Sequence, residues 1–226
     1  MADREPDIVE RFGVKLLLDA AVMSPFMTSV IEEGWYEAEE VKFLTRAIRS
    51  NDRVLELGGG IGFISSFVAL HTPAAFVATI EANPQLIPLM RRVHALNGVT
   101  VDVTWGIVAR EAGVASLNMH ENFWSSSTLG QGAGDDRVEV PVHTLTDLVR
   151  TVRPQVLIVD IEGSEQNLFS ALALDGVRDI VLELHEHIIG TAGVQSVLAE
   201  LAALGFGTRT DTPSSSYVVG LSRTTA

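Results

Sequence analysis

The sequence predicts an α/β fold: a doubly wound, mostly parallel sheet preceded by N-terminal helices and closed by a C-terminal antiparallel hairpin. Three observations predict it. Short β-like runs alternate with helical stretches from residue 54 to residue 204. Residues 155–161, QVLIVDI, are apolar almost throughout, which suits a central strand covered on both faces. Residues 51–70, NDRVLELGGGIGFISSFVAL, set four glycines in five positions between two apolar runs, the form of a strand turning sharply into a helix.

Taken in order, residues 5–32 and 37–50 read as helical, interrupted at Pro25 and Gly34, with Leu16, Leu17 and Ala20 on one face. They form a helical cap segment, residues 1–50, ahead of a domain spanning residues 51–226. Strands are expected at 54–57, 76–81, 99–105 and 155–161, a further one at an edge over 138–142, and another at 179–185. Helices are expected at 62–70, 84–97, 145–152, 164–174 and 193–204. Two last strands, 207–210 and 216–221, make the closing hairpin.

Composition narrows the function. The 226 residues carry a net charge of −13, which repels nucleic acid and an anionic membrane surface alike. Cysteine is absent, so disulfides, thiolate metal sites and cysteine nucleophiles are excluded together. The first residues, MADREPDIVERFG, are acidic and polar where a signal peptide is basic and then apolar. No apolar stretch reaches the 18 residues of a membrane span. The expectation is a soluble, cytoplasmic, acidic globular protein.

In a sheet of this kind ligands gather outside the carboxyl ends of the strands, where strand order reverses. At the first strand end stands Glu56-Leu-Gly58-Gly59-Gly60-Ile-Gly62. A dinucleotide loop, G-x-G-x-x-G, started at Gly58 would need glycine at Phe63; started at Gly59 it would need glycine at Ile61 and Ile64. No lysine follows, so a G-x-x-x-x-G-K phosphate loop is absent as well. What remains is E-x-G-x-G-x-G, or a tight turn with glycines for packing alone. At the second strand end Glu81 lies 19 residues beyond Gly62, the place of an acid that accepts both hydroxyls of a ribose.

VLELGGGIG followed by IEANP resembles the first two motifs of class I S-adenosylmethionine-dependent methyltransferases, a Rossmann-like fold. With GWYEAEEVKFLTRAIRS, VPVHTLTDLVR, VLIVDIEGSEQNLFSAL and IVLELHEH, the chain resembles the FkbM-type family of these enzymes over about residues 34–187. Asp160-Ile-Glu162-Gly163-Ser164-Glu165 is the most specific piece. Two positions depart from the family: Glu56 stands where it commonly has Asp, and Ile158 where it commonly has Lys.

The resemblance implies S-adenosylmethionine as methyl donor. The amides of Gly58, Gly60 and Gly62 would receive its carboxylate, and Glu56 or Asp160 its ammonium. Glu81 would take the ribose, with Ala82 and Asn83, or Gly106 and Ile107, flanking the adenine. A hydroxyl acceptor needs a general base. Candidates are Asp160, Glu162, Glu165, Glu183, His185, Glu186 and His187, with Asp160 or Glu162 near the methyl and His185 as base. Asp160, Glu162, His185 and His187 also offer ligands for a divalent metal, which the lack of compact H-x-x-x-H spacing does not favour. Residues 121–136, with Phe123 and Trp124, read as a lid over the acceptor or a surface loop, and Trp35 and Tyr36 as a cover for the donor. The N-terminal segment is equally a candidate contact for a homodimer. The function implied is O-methylation of a hydroxyl on a small molecule, a sugar or glycan, or a natural product. The alternatives are N-methylation of a small amine, or a non-catalytic nucleotide-binding module.

Overall fold

The computed structural model of the protein describes residues 7–118, 137–166, 168–169, 174–211 and 217–224. The chain opens with a hairpin rather than a helix. β1 (Asp7–Arg11) and β2 (Val14–Leu18) pair antiparallel, correcting the helical expectation over residues 5–18. The physical reason lies in the turn. Phe12 and Gly13 both take positive φ, 47° and 76°, the two-residue geometry that matches hairpin twist. The β-branched Ile8, Val9 and Val14 favour strands on either side. Helix begins at α1 (Pro25–Glu33), where Ser24 Oγ accepts from Met27 N at 3.2 Å and proline occupies the first turn. α2 (Ala38–Ala47) follows.

Alternation then proceeds much as the sequence implies. β3 (Arg53–Leu57), α3 (Phe63–His71), β4 (Phe76–Glu81), α4 (Leu86–Leu96) and β5 (Asp102–Trp105) form the first half. β6 (Ile107–Ala109), β7 (Gly113–Asn118) and β8 (Arg137–Thr144) intervene. α5 (Leu145–Val152), β9 (Val156–Val159), β10 (Asp179–Glu183), α6 (Glu186–Ala203), β11 (Phe206–Thr208) and β12 (Val218–Arg223) complete the chain. The main sheet has seven strands in the order β11-β12-β10-β9-β3-β4-β5. β5, β4, β3, β9 and β10 run parallel, and β12 returns antiparallel between β10 and β11. Strand order therefore reverses between β3 and β9, and the C-terminal hairpin is present.

Residues 138–142 do not edge this sheet. They lie in β8, the middle strand of a separate three-stranded sheet, β6-β8-β7, whose own small core holds Ile107, Leu117 and Val140. Over 164–174 the described residues through Phe169 form turns, and residues 167 and 170–173 lie outside the described residues. α6 begins seven residues earlier than expected and breaks at Gly190, whose φ of 69° and ψ of 166° are not helical.

Alternating strand residues feed two cores. Val54, Val77, Val156, Ile158 and Val181 pack beneath α2, α3 and α4, together with Leu16 of the hairpin and Met27 of α1. Leu55, Leu57, Ile80, Leu157 and Leu182 face α5 and α6. The N-terminal segment thus belongs to the core. At the amino ends of β3 and β10 Arg178 pairs with Asp52 and Asp179 at 2.7 Å each and donates to Ala47 O at 2.8 Å, tying α2 to β10. Although burial opposes it, Arg178 holds the Asp52 carboxyl below its usual range.

At the reversal, Gly58 follows β3 with φ of 89°, and a Cβ there would stand 1.6 Å from the carbonyl oxygen of Asp160. That oxygen belongs to the backbone leaving β9, so neither side can yield. Gly58→Ala is expected to cost at least about 3 kcal/mol, from overpacking added to a left-handed φ. Gly113→Ala, where nothing lies within 4 Å, should change stability by no more than about 0.5 kcal/mol. Urea unfolding of both variants measures the difference; equal losses would place the constraint elsewhere.

Candidate active site

A cleft of about 790 Å³, counting the part open to solvent, lies at the reversal point. Gly58 and Gly60 after β3, Glu81, Ala82 and Asn83 at the end of β4, and Gly106 and Ile107 after β5 line one side. Asp160 and Glu162 after β9 line the other, and Tyr36 and Glu37 cover it from the loop before α2. Gly62 does not line the cleft; it caps α3, and its N–H donates to Gly59 O at 2.8 Å.

Glu81 organises the loop side. Its Oε2 accepts from Gly60 N at 2.8 Å and its Oε1 from Asn83 N at 2.6 Å, so one carboxylate holds both the glycine turn and the start of α4. Burial pushes its carboxyl up to about 7. Each oxygen keeps lone-pair capacity for a further donor. Glu56 sits below, on β3, only 2% exposed and outside the cleft lining. Burial raises it to about 7, and its Oε2 is shielded with no hydrogen-bond partner.

The acid side is crowded. Burial, then Glu183, Glu37 and Glu162, hold the Asp160 carboxyl well above its ordinary range. Burial likewise lifts Glu162 to about 7, against the pull of His185. Glu162 reaches the cleft from a left-handed φ of 51°, a strained conformation of the kind that collects at functional sites. His185 is buried behind this wall and does not line the cleft. Its Nε2 lies 3.3 Å from Glu162 Oε2 and 3.5 Å from Asp160 Oδ1, and its Nδ1 lies 2.8 Å from Glu165 Oε1. Burial works against the charged ring, but Glu165 and then Glu162 outweigh it, so its pKa is raised.

Other expected residues are dispersed. Glu186 and His187 are exposed, and Glu186 accepts from Thr191 Oγ1 at 2.6 Å. Tyr36 covers the cleft and packs against Phe63 at 5.9 Å, whereas Trp35 is 74% exposed and covers nothing there. Residues 121–136, the expected lid, lie outside the described residues. Glu37 and Glu40 were not foreseen. Burial and then Glu40 raise Glu37 well above its usual range, and burial and then Glu183 raise Glu40 to about 7. Their signal in the sequence is the acidic run WYEAEE, which opens the helical stretch expected from residue 37.

A family model for the methyltransferase FkbM domain matches residues 56–207. No curated protein matches the chain. Among solved structures, the Pyrococcus abyssi tRNA (uracil-54, C5)-methyltransferase in complex with S-adenosyl-L-homocysteine is 14% identical with a TM-score of 0.54, covering 97% of this chain and 43% of that one. Trm5b from Pyrococcus abyssi is 14% identical with a TM-score of 0.50, covering 97% and 55%. These likenesses show the fold, and this chain spans only about half the length of either protein.

The raised acids have a consequence for stability. Glu40, Glu56, Glu81 and Glu162 titrate at about 7 in the folded chain and near 4.5 when free. The folded chain therefore holds more protons between those limits, and stability falls as pH rises through them. His185 acts in the same direction, since its raised pKa means that its contribution is lost as pH climbs. Thermal melts in ligand-free buffer should show lower Tm at pH 8 than at pH 5.5. Glu40→Gln should raise Tm by about 2–4 °C at pH 8 and little at pH 5.5, for about 1 kcal/mol in a chain of this size. A variant curve parallel to wild type at every pH would mean that Glu40 does not titrate there.

Proposed function

The chain belongs to the family of FkbM-domain methyltransferases, and on that premise we propose that it transfers the methyl group of S-adenosylmethionine to a hydroxyl of a small molecule, a sugar or a natural product. The observation that carries the proposal is the convergence, in one cleft, of the Gly58–Gly60 turn, the Glu81 carboxylate and the acids of the D-x-E-G segment. The residues fit the donor. Gly58 and Gly60 line the cleft at the mouth of α3, where amides and the helix terminus suit a carboxylate. Glu81 retains acceptor capacity for two ribose hydroxyls. Ala82, Asn83, Gly106 and Ile107 form the wall expected to hold an adenine. Asp160 supplies negative charge for an ammonium or sulfonium. Bound there, S-adenosylmethionine supplies an electrophilic methyl carbon.

The chain's own contribution is to align the acceptor and remove its proton. In-line placement lowers the barrier by fixing orientation beforehand. A base works best with a pKa near the working pH. Glu162, at about 7 and lining the cleft, meets both conditions better than His185, which is buried behind it. The proposed base is accordingly Glu162, which would take the acceptor's proton as the hydroxyl oxygen receives the methyl and the donor's sulfur–methyl bond breaks, the thioether being the leaving group. His185 and Glu165 act as positioning residues. The net charge of −13 supports a small acceptor over nucleic acid or a membrane surface, and among the described residues no helix is long and apolar enough to cross a membrane. A cytoplasmic enzyme, monomeric or a homodimer, is consistent with this reading.

Calorimetric titration with S-adenosylhomocysteine, with NAD as control, tests the donor. Binding that Glu81→Ala weakens at least tenfold is expected, and no binding, or preference for NAD, would sink the assignment. With an acceptor found by screening, Glu162→Gln should lower kcat about a hundredfold or more while donor binding stays within about twofold. An unchanged kcat would remove Glu162 as base.

A further inference from the structure

Asp160 after β9, Glu183 at the end of β10 and His185 before α6 each turn one ligand atom into a common space, all within 4.8 Å of one another. From His185 Nε2, Asp160 Oδ1 lies at 3.5 Å and Glu183 Oε1 at 3.9 Å. Two further observations separate this group from an ordinary run of surface acids. The first is behind the ring. Glu165, completely buried, has Oε1 2.8 Å from His185 Nδ1 and accepts on the same oxygen from Gly163 N at 3.0 Å. In the neutral ring, donation of Nδ1–H to that carboxylate would leave the lone pair of Nε2 directed at Asp160 and Glu183. Carboxylate support of this kind orients metal-ligating imidazoles.

The second is an orphan oxygen. Asp160 Oδ1 is shielded from solvent and makes no hydrogen bond, although it faces Nε2. Among the described residues no lysine or arginine pairs with Asp160, Glu162 or Glu183. In those pairings His185 is the basic partner.

We infer that Asp160, Glu183 and His185 bind one divalent first-row transition ion of the manganese kind at the rim of the cleft. Ligands about 2.1 Å from such an ion stand about 3 Å apart, so small side-chain movements close the observed gaps. Glu162 Oε2, 3.3 Å from the same nitrogen, is a further oxygen within reach. The imidazole selects against magnesium and calcium, which take oxygen ligands, while the carboxylates suit manganese. His187, named with this set from sequence, is exposed and takes no part; Glu183 holds the place assigned to it. A role for the ion in placing an acceptor oxygen rests on the methyltransferase reading, whereas its binding does not.

The test is titration of the full chain with Mn²⁺ in metal-stripped buffer, without donor, followed by electron paramagnetic resonance. One equivalent should bind, suppressing the free-ion signal, with nitrogen modulation from one imidazole. Glu183→Gln should weaken binding at least tenfold, and His185→Gln should abolish the nitrogen modulation. Glu10→Gln, at an exposed acid, should bind as wild type. S-adenosylhomocysteine binding by each variant shows that the fold survives. Donor-product binding without Mn²⁺ binding overturns this inference and leaves the function standing; Mn²⁺ binding alone does the reverse. Wild-type affinity in both Glu183→Gln and His185→Gln, or displacement of Mn²⁺ by equimolar Mg²⁺, also overturns it.

Discussion

The site depends on the meeting of two backbones. Where β3 ends, the chain turns at Gly58 against the carbonyl of Asp160, so closely that a single methyl group would overlap it. This contact brings the glycine turn and the acid-bearing strand end into one cleft, because β3 and β9 are the pair between which strand order reverses. The ladder continues into it, with Asp160 N donating to Leu57 O at 2.9 Å. The glycines thus answer to two demands. Gly58 yields to the protein's own chain, and Gly59 to Thr79 and Met90 packed beneath it. Room for a ligand is what is left above.

From that junction follows the electrostatic character of the cleft. Carboxylates arrive on separate elements: Glu37 and Glu40 with α2, Asp160 and Glu162 after β9, Glu183 with β10. Each is partly or wholly withdrawn from water, and each raises the proton affinity of the others. A fold that merely needed to be stable would not gather them. Such a cluster makes sense where cationic charge arrives from outside, whether a sulfonium, an ammonium or a metal ion. His185 and Glu165 complete the pattern from within, one ring held against four carboxylates.

How much of this the sequence carried depends on distance along the chain. The strand ends, Glu81 and the D-x-E-G acids were legible because parallel sheets place such residues at one edge by rule. The opening hairpin was missed because Leu16 and Leu17 are both buried, which blurs the period of two and leaves Phe12-Gly13 as its main mark. β6 and β7 escaped because the former has only three residues. The joining of Glu37 and Glu40 to Glu183 spans over 140 residues and has no local signature. His185 and His187 look alike in sequence, but the start of α6 buries the first and exposes the second.

Ile158 shows how a departure from a family pattern can be understood through register. It pairs with Glu56 across β3 and β9, and its side chain enters the same core as Val54 and Val181. A lysine at 158, as the resemblance leads one to expect, would stand beside the acid at 56 on the same face of the sheet. Here isoleucine takes that place, 3% exposed, and Glu56 keeps a shielded oxygen without a partner. The carboxyl is left to be neutralised by its own proton, which is why burial carries it to about 7. Isoleucine adds apolar packing beneath α2 and α3, but only one partner of such a pair is replaced, so Glu56 stays buried without a counter-charge and takes up a proton more readily than a free carboxylate. The departure therefore acts on the floor of the site, under the glycine turn, and leaves the acids that line the cleft in place.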